Sequence, residues 1–294
     1  MENVTISENL FVQEPKKEQL FQLFEEVFDI SVQTMQNFDA RGFWDQTYKP
    51  VAYMQGEQVI ANVSSFSLPL FVNGEFVNAA GIQSVMTHPD YRGKGLMKQL
   101  FCEMLQKIDE HYECAMLFTE KPELYEAFGF QVVKEHLMTL SYDKTKHKTL
   151  SLQKLNFSDE EDLQLIKEKL ENSQPLSNMF STLNYQSSFY FNMYDTKWNE
   201  KLYYSKKLDA LFVYEVKDQT LKLFGVFASV FPILDEICAE IPEVFTEIEF
   251  YFYPDELGIE KLAYKEFQSD KYLMVRSSNK IHFNGYKFPI LTEF

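Results

Sequence analysis

Arginine is nearly missing from this 294-residue chain. Only Arg41, Arg92 and Arg276 occur, and with the lysines they make 28 basic residues against 44 acidic ones. The resulting charge of −16 repels phosphate backbones and anionic lipid, so general binding to nucleic acid or to a membrane surface is disfavoured and a cationic small molecule is attracted. Both halves share the acidic excess, which makes it a property of the whole surface. Cysteine is scarce too: Cys102, Cys114 and Cys238 stand at no metal-ligand spacing, which argues against a disulfide framework or a bound metal and suits a reducing compartment. With 10 Gly and 10 Pro the chain is neither collagen-like nor of low complexity. No apolar run approaches the ~18 residues of a membrane span, and the first residues, Met-Glu-Asn-Val-Thr, lack a basic region followed by an apolar core. The expectation is a soluble, cytoplasmic protein.

Aromatic residues are plentiful instead. With 28 Phe, 17 Tyr and 45% hydrophobic residues, the chain can bury enough apolar surface to offset its ordering entropy, and its length allows two domains. Apolar positions at helical spacing predict a helix over 14–29. Strand-like runs follow at 51–54, 58–72 and 75–87, with Asn73-Gly74 as a hairpin turn. The period then changes: Leu96, Met97, Leu100, Phe101, Met104, Leu105 and Ile108 form one helical stripe. An apolar strand at 115–118, a short helix at 122–128 and a strand pair over 130–141 complete the first unit.

The basic, polar stretch 144–154 reads as a linker, dividing the chain into domains 1–145 and 146–294. The second unit shows a helix over 158–172, strands at 210–216 and 221–227, a helix over 233–241, and strands at 244–253 and 272–277. Strand, turn, strand, helix, strand is the order already met in 58–118, which suggests a degenerate repeat. The fold class is α/β of the α+β kind: a mixed, mostly antiparallel sheet with helices on both faces, followed by a second, related unit.

The chemistry lies between the strand ending at Thr87 and the helix after Gly95. There the loop His88-Pro89-Asp90-Tyr91-Arg92-Gly93-Lys94-Gly95 carries cations and two glycines. Unpaired N–H groups at a helix start, with the helix dipole behind them, cradle an anion, and glycine lets a diphosphate approach the backbone closely. A Walker loop is absent, and the dinucleotide fingerprint fails because Lys98 occupies its third glycine.

Arg92-Gly93-Lys94-Gly95-Leu96, with Met97 departing from the final small position, resembles the GNAT superfamily of N-acetyltransferases. About 30 residues on, Leu124-Tyr125-Glu126-Ala127-Phe128-Gly129-Phe130 is similar to that family's Tyr, three residues, Gly-Phe signature. The resemblance implies a GNAT sheet and acetyl transfer from acetyl-CoA to a primary amine by direct attack. Val85, Met86 and Thr87 would bind the pantetheine through their main chain, and Arg92, Gly93, Lys94, Gly95, Leu96 and Met97 would hold the pyrophosphate. Tyr125 would give a proton to the leaving sulfur, a phenol pKa near 10 being close to that of a thiol. Glu120, His88 and a water stand open as the base that deprotonates the amine.

A GNAT domain followed by a motif-less relative resembles the Eis family, whose members acetylate aminoglycoside-like polyamines and carry a sterol-carrier-like third domain, for which this chain has no length left. That resemblance adds the terminal carboxylate, here at Phe294, to the possible bases; a packed apolar tail is the preferred reading of Phe294. The acceptor itself is not legible, although segments 22–36 and 189–194 are expected to line its site. The expected partner is a small cationic amine, with homo-oligomerisation left open. The alternative is a non-catalytic module that binds acyl-CoA or a protein through the same cradle.

Overall fold

The computed structural model describes residues 4–8, 10–144, 152–277 and 281–294. In chain order the first half forms β1 (Val4–Ser7), α1 (Glu14–Phe28), α2 (Val32–Ala40), β2 (Lys49–Gln55), β3 (Gln58–Val72), β4 (Glu75–Thr87), α3 (Leu96–His111), β5 (Cys114–Thr119), α4 (Glu123–Glu126), β6 (Gln131–Val132) and β7 (His136–Lys144). The remainder forms β8 (Leu152–Lys154), α5 (Glu160–Glu171), β9 (Phe180–Thr182), α6 (Ser187–Asn192), α7 (Thr196–Asn199), β10 (Leu202–Ser205), β11 (Ala210–Lys217), β12 (Thr220–Phe227), α8 (Leu234–Glu240), β13 (Phe245–Phe250), β14 (Ala263–Glu266) and β15 (Tyr272–Ser277).

Local chemistry accounts for the boundaries. Pro15 sits in the first turn of α1, where its missing N–H costs nothing, and Asp29 closes that helix in the left-handed conformation. Asn73 and Gly74, at φ 54° and 80°, make the two-residue turn that sets the β3–β4 register, with Val72 opposite Glu75. The α5 N-terminus is capped by Asp159, whose carboxylate accepts from the N–H groups of Glu161 and Asp162. Helix α2 lies beyond the helix expected over 14–29, yet Ser31 is a ready N-cap, its hydroxyl accepting from the Thr34 N–H.

Two sheets result. The first runs β1-β2-β3-β4-β5-β15-β6, with β9 also against the far end of β3, and the second runs β14-β7-β13-β12-β11-β10-β8. Among the described strands only β4–β5 and β12–β13 pair in parallel, so the sheets are mixed and mostly antiparallel. The suspected repeat is present as architecture: hairpin β3–β4, helix α3, parallel β5 is matched by hairpin β11–β12, helix α8, parallel β13.

The sheets exchange strands, which the sequence pattern does not foretell. β15, from the far end of the chain, lies between β5 and β6 in the first sheet, while β7 lies between β13 and β14 in the second. The strand pair expected over 130–141 is therefore not a pair, because β6 and β7 enter different sheets. Between them the Val133 N–H turns to the Leu273 carbonyl, and the Glu135 carbonyl accepts from Phe267. Arg276, on β15, locks the exchange: its guanidinium meets the Asp109 carboxylate on α3 with two hydrogen bonds, and its Nε donates to the Phe128 carbonyl at 2.9 Å. Chain order changes halves near 145, but sheet membership does not follow it. Residues 145–151, most of the expected linker, lie outside the described residues, and Leu152–Lys154 at its end is strand β8.

Candidate active site

Strand β4 pairs with β5 only from Ala79 to Gly81. Beyond that point the strands part, and the β5-facing edge of residues 82–87 has no strand partner among the described residues. A β-bulge sits in this stretch, where the β3–β4 register shifts and Ser84 adopts φ 54°. Gly81 is required where the strands divide: a Cβ there would lie 2.2 Å from the Phe66 ring. Beneath the bulge, Asn62 Nδ2 donates to the Ser84 carbonyl and to Ser64 Oγ, each at 2.8 Å, and the Tyr48 hydroxyl donates to Ser84 Oγ at 3.1 Å. The Tyr48 phenol is pushed up to about 12 by burial.

The loop after β4 has the form of an anion cradle. Gly93 and Gly95 both adopt left-handed backbone, at φ 75° and 76°, with open space where a side chain would stand. Helix α3 begins directly after Gly95 with no side-chain cap and no acid in its first turn, so its amides are not competed for by the chain's own carboxylates. Arg92, Gly93, Lys94 and Gly95 are exposed. Arg92 Nε donates to the Thr87 carbonyl at 3.2 Å, and Lys94 donates to the Asp90 carbonyl at 2.9 Å while lying over the Tyr91 ring. Leu96 and Met86 bury their side chains in the core and Met97 packs partly against it, so those residues offer main chain only.

Tyr125 stands across the split. It is the buried residue of α4, 7% exposed, and its ring packs against Phe101 of α3 and Phe130. Burial pushes its phenol up to about 12, so it stays protonated at neutral pH. Its hydroxyl has no protein partner among the described residues. Gly129, at φ 87°, turns the chain so that Phe130 can enter this cluster.

Tyr125 and Val85 line a cavity of about 740 Å³ whose other walls come from α1 and α2 (Phe24, Phe28, Met35), from α6 (Ser188, Phe191) and from the C-terminal segment (Glu293, Phe294). Both segments expected to line an acceptor site, 22–36 and 189–194, thus contribute to one cavity. Trp44 also lines it, and its indole N–H is buried with no acceptor. A second cavity of about 1050 Å³ adjoins the first, sharing Phe118, Glu120, Asn192, Lys271, Glu293 and Phe294.

The possible bases separate. Glu120 lines both cavities. His88 lines neither, and both ring nitrogens are engaged: Nδ1 accepts from the Asp90 N–H and Nε2 lies 2.8 Å from Glu26. The Phe294 ring packs edge-on against Phe66 and Phe118, at 4.9 and 5.4 Å. Between the cavities a buried ion cluster was not foreseen: Lys287 Nζ contacts the carboxylates of Glu135, at 3.0 Å, and Glu293. Its members lie far apart in sequence, and no motif announces them. Cys102 is exposed on α3, whereas Cys114 and Cys238 are buried. Among the described residues no group of three His, Cys, Asp or Glu could hold a metal, and no helix is long and apolar enough to cross a membrane.

Comparison with known proteins decides the nature of this region. Residues 11–133 match the family of acetyltransferase (GNAT) domains. That segment resembles a GNAT acetyltransferase domain. Over 79 residues the chain is 37% identical to the uncharacterized N-acetyltransferase YhbS of Escherichia coli, covering 27% of this chain and 46% of that protein. The chain thus spans about half the length of the curated relatives it matches. Solved structures resemble it over more of its length. A GCN5-related N-acetyltransferase from Kribbella flavida aligns over 94% of this chain and 71% of its own, with a TM-score of 0.56 at 16% identity. Eis1 from Mycobacterium abscessus aligns over 93% and 73%, with a TM-score of 0.56 at 13% identity. At such identities the likeness is one of fold, and it extends across both sheets.

Proposed function

We propose that the protein transfers an acetyl group from acetyl-CoA to a primary amine, and that the acceptor occupies the cavity beside Tyr125 under the wall formed by the second half. One observation carries the reading: a buried phenol, with no protein partner for its hydroxyl among the described residues, faces the unpaired edge of a split sheet whose next loop is an anion cradle.

In this reading the main chain of Val85, Met86 and Thr87 hydrogen-bonds the pantetheine as an added strand would. The amides from Arg92 to Met97 hold the diphosphate, with Arg92 and Lys94 supplying charge. As the amine nitrogen bonds to the thioester carbon and the carbon–sulfur bond breaks, Tyr125 gives its proton to sulfur. The same apolar surroundings that hold the phenol neutral raise the basicity of the sulfur, so the transfer remains matched. Glu120 is the base within the cavity, directly or through water, and its carboxylate favours a cationic acceptor. The layout of two related units is that of an Eis-like enzyme.

The test is release of free CoA from acetyl-CoA across a panel of amines, beside calorimetric titration with CoA. Turnover that falls at least ~100-fold in Tyr125→Phe, with CoA binding retained, supports the assignment. Tight CoA binding with no turnover of any amine would make the protein a binding module, and no heat with CoA would remove the site altogether.

A further inference from the structure

The second cavity is electrically divided. Its far wall, built by α7, the turn that follows it, β11 and β12, carries Lys197, Lys201 and Lys222 against a single acid, Glu215. Lys201 lies 2.9 Å and Lys222 3.8 Å from the two oxygens of that carboxylate, so one acid is shared between two cations. Lys197 has no carboxylate within ion-pair reach among the described residues. Two positive charges are therefore uncompensated, in a chain whose formal charge is −16.

The cations are held in place. Lys197 lies 4.9 Å from the Trp198 ring centre, and Lys201 lies 5.7 Å from Trp198 and 5.2 Å from Phe224, so aromatic faces orient both ammonium groups beside the opening. The near end, shared with the Tyr125 cavity, has the opposite sign. Glu120 and Glu293 stand there with one lysine, Lys271, and Lys287 of the adjoining ion cluster serves two carboxylates. Lys134 also lines this cavity, together with Glu266 and Asp270.

A ligand with ammonium groups at both ends suits the near end and is repelled by the far one. A short monoamine reaches only the first cavity and leaves some 1050 Å³ lined by Trp198, Phe224 and Tyr251 unfilled. Building on the acetyl-transfer reading above, we propose that the acceptor is amphoteric: its amine lies beside Tyr125 and Glu120, an apolar or peptide-like body crosses the aromatic floor, and a carboxylate or phosphate at its other end is bound by Lys197, Lys201 and Lys222.

The experiment uses the full chain and amines that differ only in their far end: aminohexanoate, aminohexyl phosphate, aminohexanamide and diaminohexane, each also in a twelve-carbon version. Steady-state kcat/KM with acetyl-CoA and calorimetric binding to the CoA-saturated protein are read in parallel. An advantage of tenfold or more for the carboxylate or phosphate over the carboxamide and the diamine is expected, and which anion gains more identifies the source. In the Lys197→Gln, Lys222→Gln double variant that advantage disappears. Lys197→Glu, at an exposed position, reverses it without disturbing the Lys201–Glu215 pair. Equal use of all four ends, or preference for the diamine, overturns the proposal while leaving acetyl transfer intact. Selective binding of the anionic amines without turnover keeps the subsite and refutes acetyl transfer instead.

Discussion

The exchanged strand β15 makes a sharp demand on stability. Leu273 and Met274 are fully buried and Val275 is 8% exposed, all within the first sheet although they lie near the end of the chain. Burying a side chain of this size contributes roughly 1.5–3 kcal/mol, so the three contribute about 5–9 kcal/mol. That is comparable to the ~5–15 kcal/mol by which a whole domain is stable. Losing β15 also removes the Arg276 links to α3 and to the loop before Gly129, the loop that presents Tyr125. A chain ending at Lys144 should therefore fail to fold cooperatively, although it contains both motifs that resemble the GNAT family. Near-ultraviolet circular dichroism, thermal melts and CoA calorimetry on that fragment, with and without a peptide spanning 268–277, make the check. A fragment that melts cooperatively and binds CoA without the peptide would refute the reasoning. In the intact chain, Met274→Ala should cost about 2–5 kcal/mol and lower the melting temperature by roughly 5–15 °C.

Other consequences follow from the site and its supports. Because burial holds the Tyr125 phenol up at about 12, the proton donor stays intact across neutral and mildly alkaline pH; kcat should show no falling limb near 10, and such a limb would place the phenol in water. Gly81→Ala puts a methyl group into the Phe66 ring and should destabilise by about 1–3 kcal/mol, measured by denaturant melts. Gly95→Ala strains a left-handed residue by about 1–2 kcal/mol and should weaken CoA binding up to roughly tenfold by calorimetry, with the folded sheet unchanged. Lys287→Met strands the Glu135 and Glu293 carboxylates and should cost about 3–5 kcal/mol at neutral pH. Burial already raises the Glu135 carboxyl above its ordinary value, so its charged form is less favoured in the fold than in the unfolded chain. Stability of the variant should thus recover as pH falls toward the unfolded carboxyl value and be lost as pH rises; chemical melts at pH 5 and pH 8 show the sign.

Much of the architecture was legible from short-range pattern. Strands β3, β4 and β15, the Asn73-Gly74 turn, the α3 stripe and the two motifs carrying Arg92 to Met97 and Tyr125 are set by side-chain period and by the backbone freedom of glycine, which act over a few residues. The repeat of hairpin, helix and parallel strand was legible for the same reason. The partner of each strand was not: alternation says which face of β7 or β15 is buried but carries no label for the neighbouring strand. Only packing of the whole chain sends β7 into the second sheet and β15 into the first. The acceptor side is likewise a product of the tertiary structure. Glu120, Glu293 and Lys197 lie far apart in sequence, and ions with no fixed spacing leave no motif, so the cavity and its division of charge exist only once both sheets are assembled.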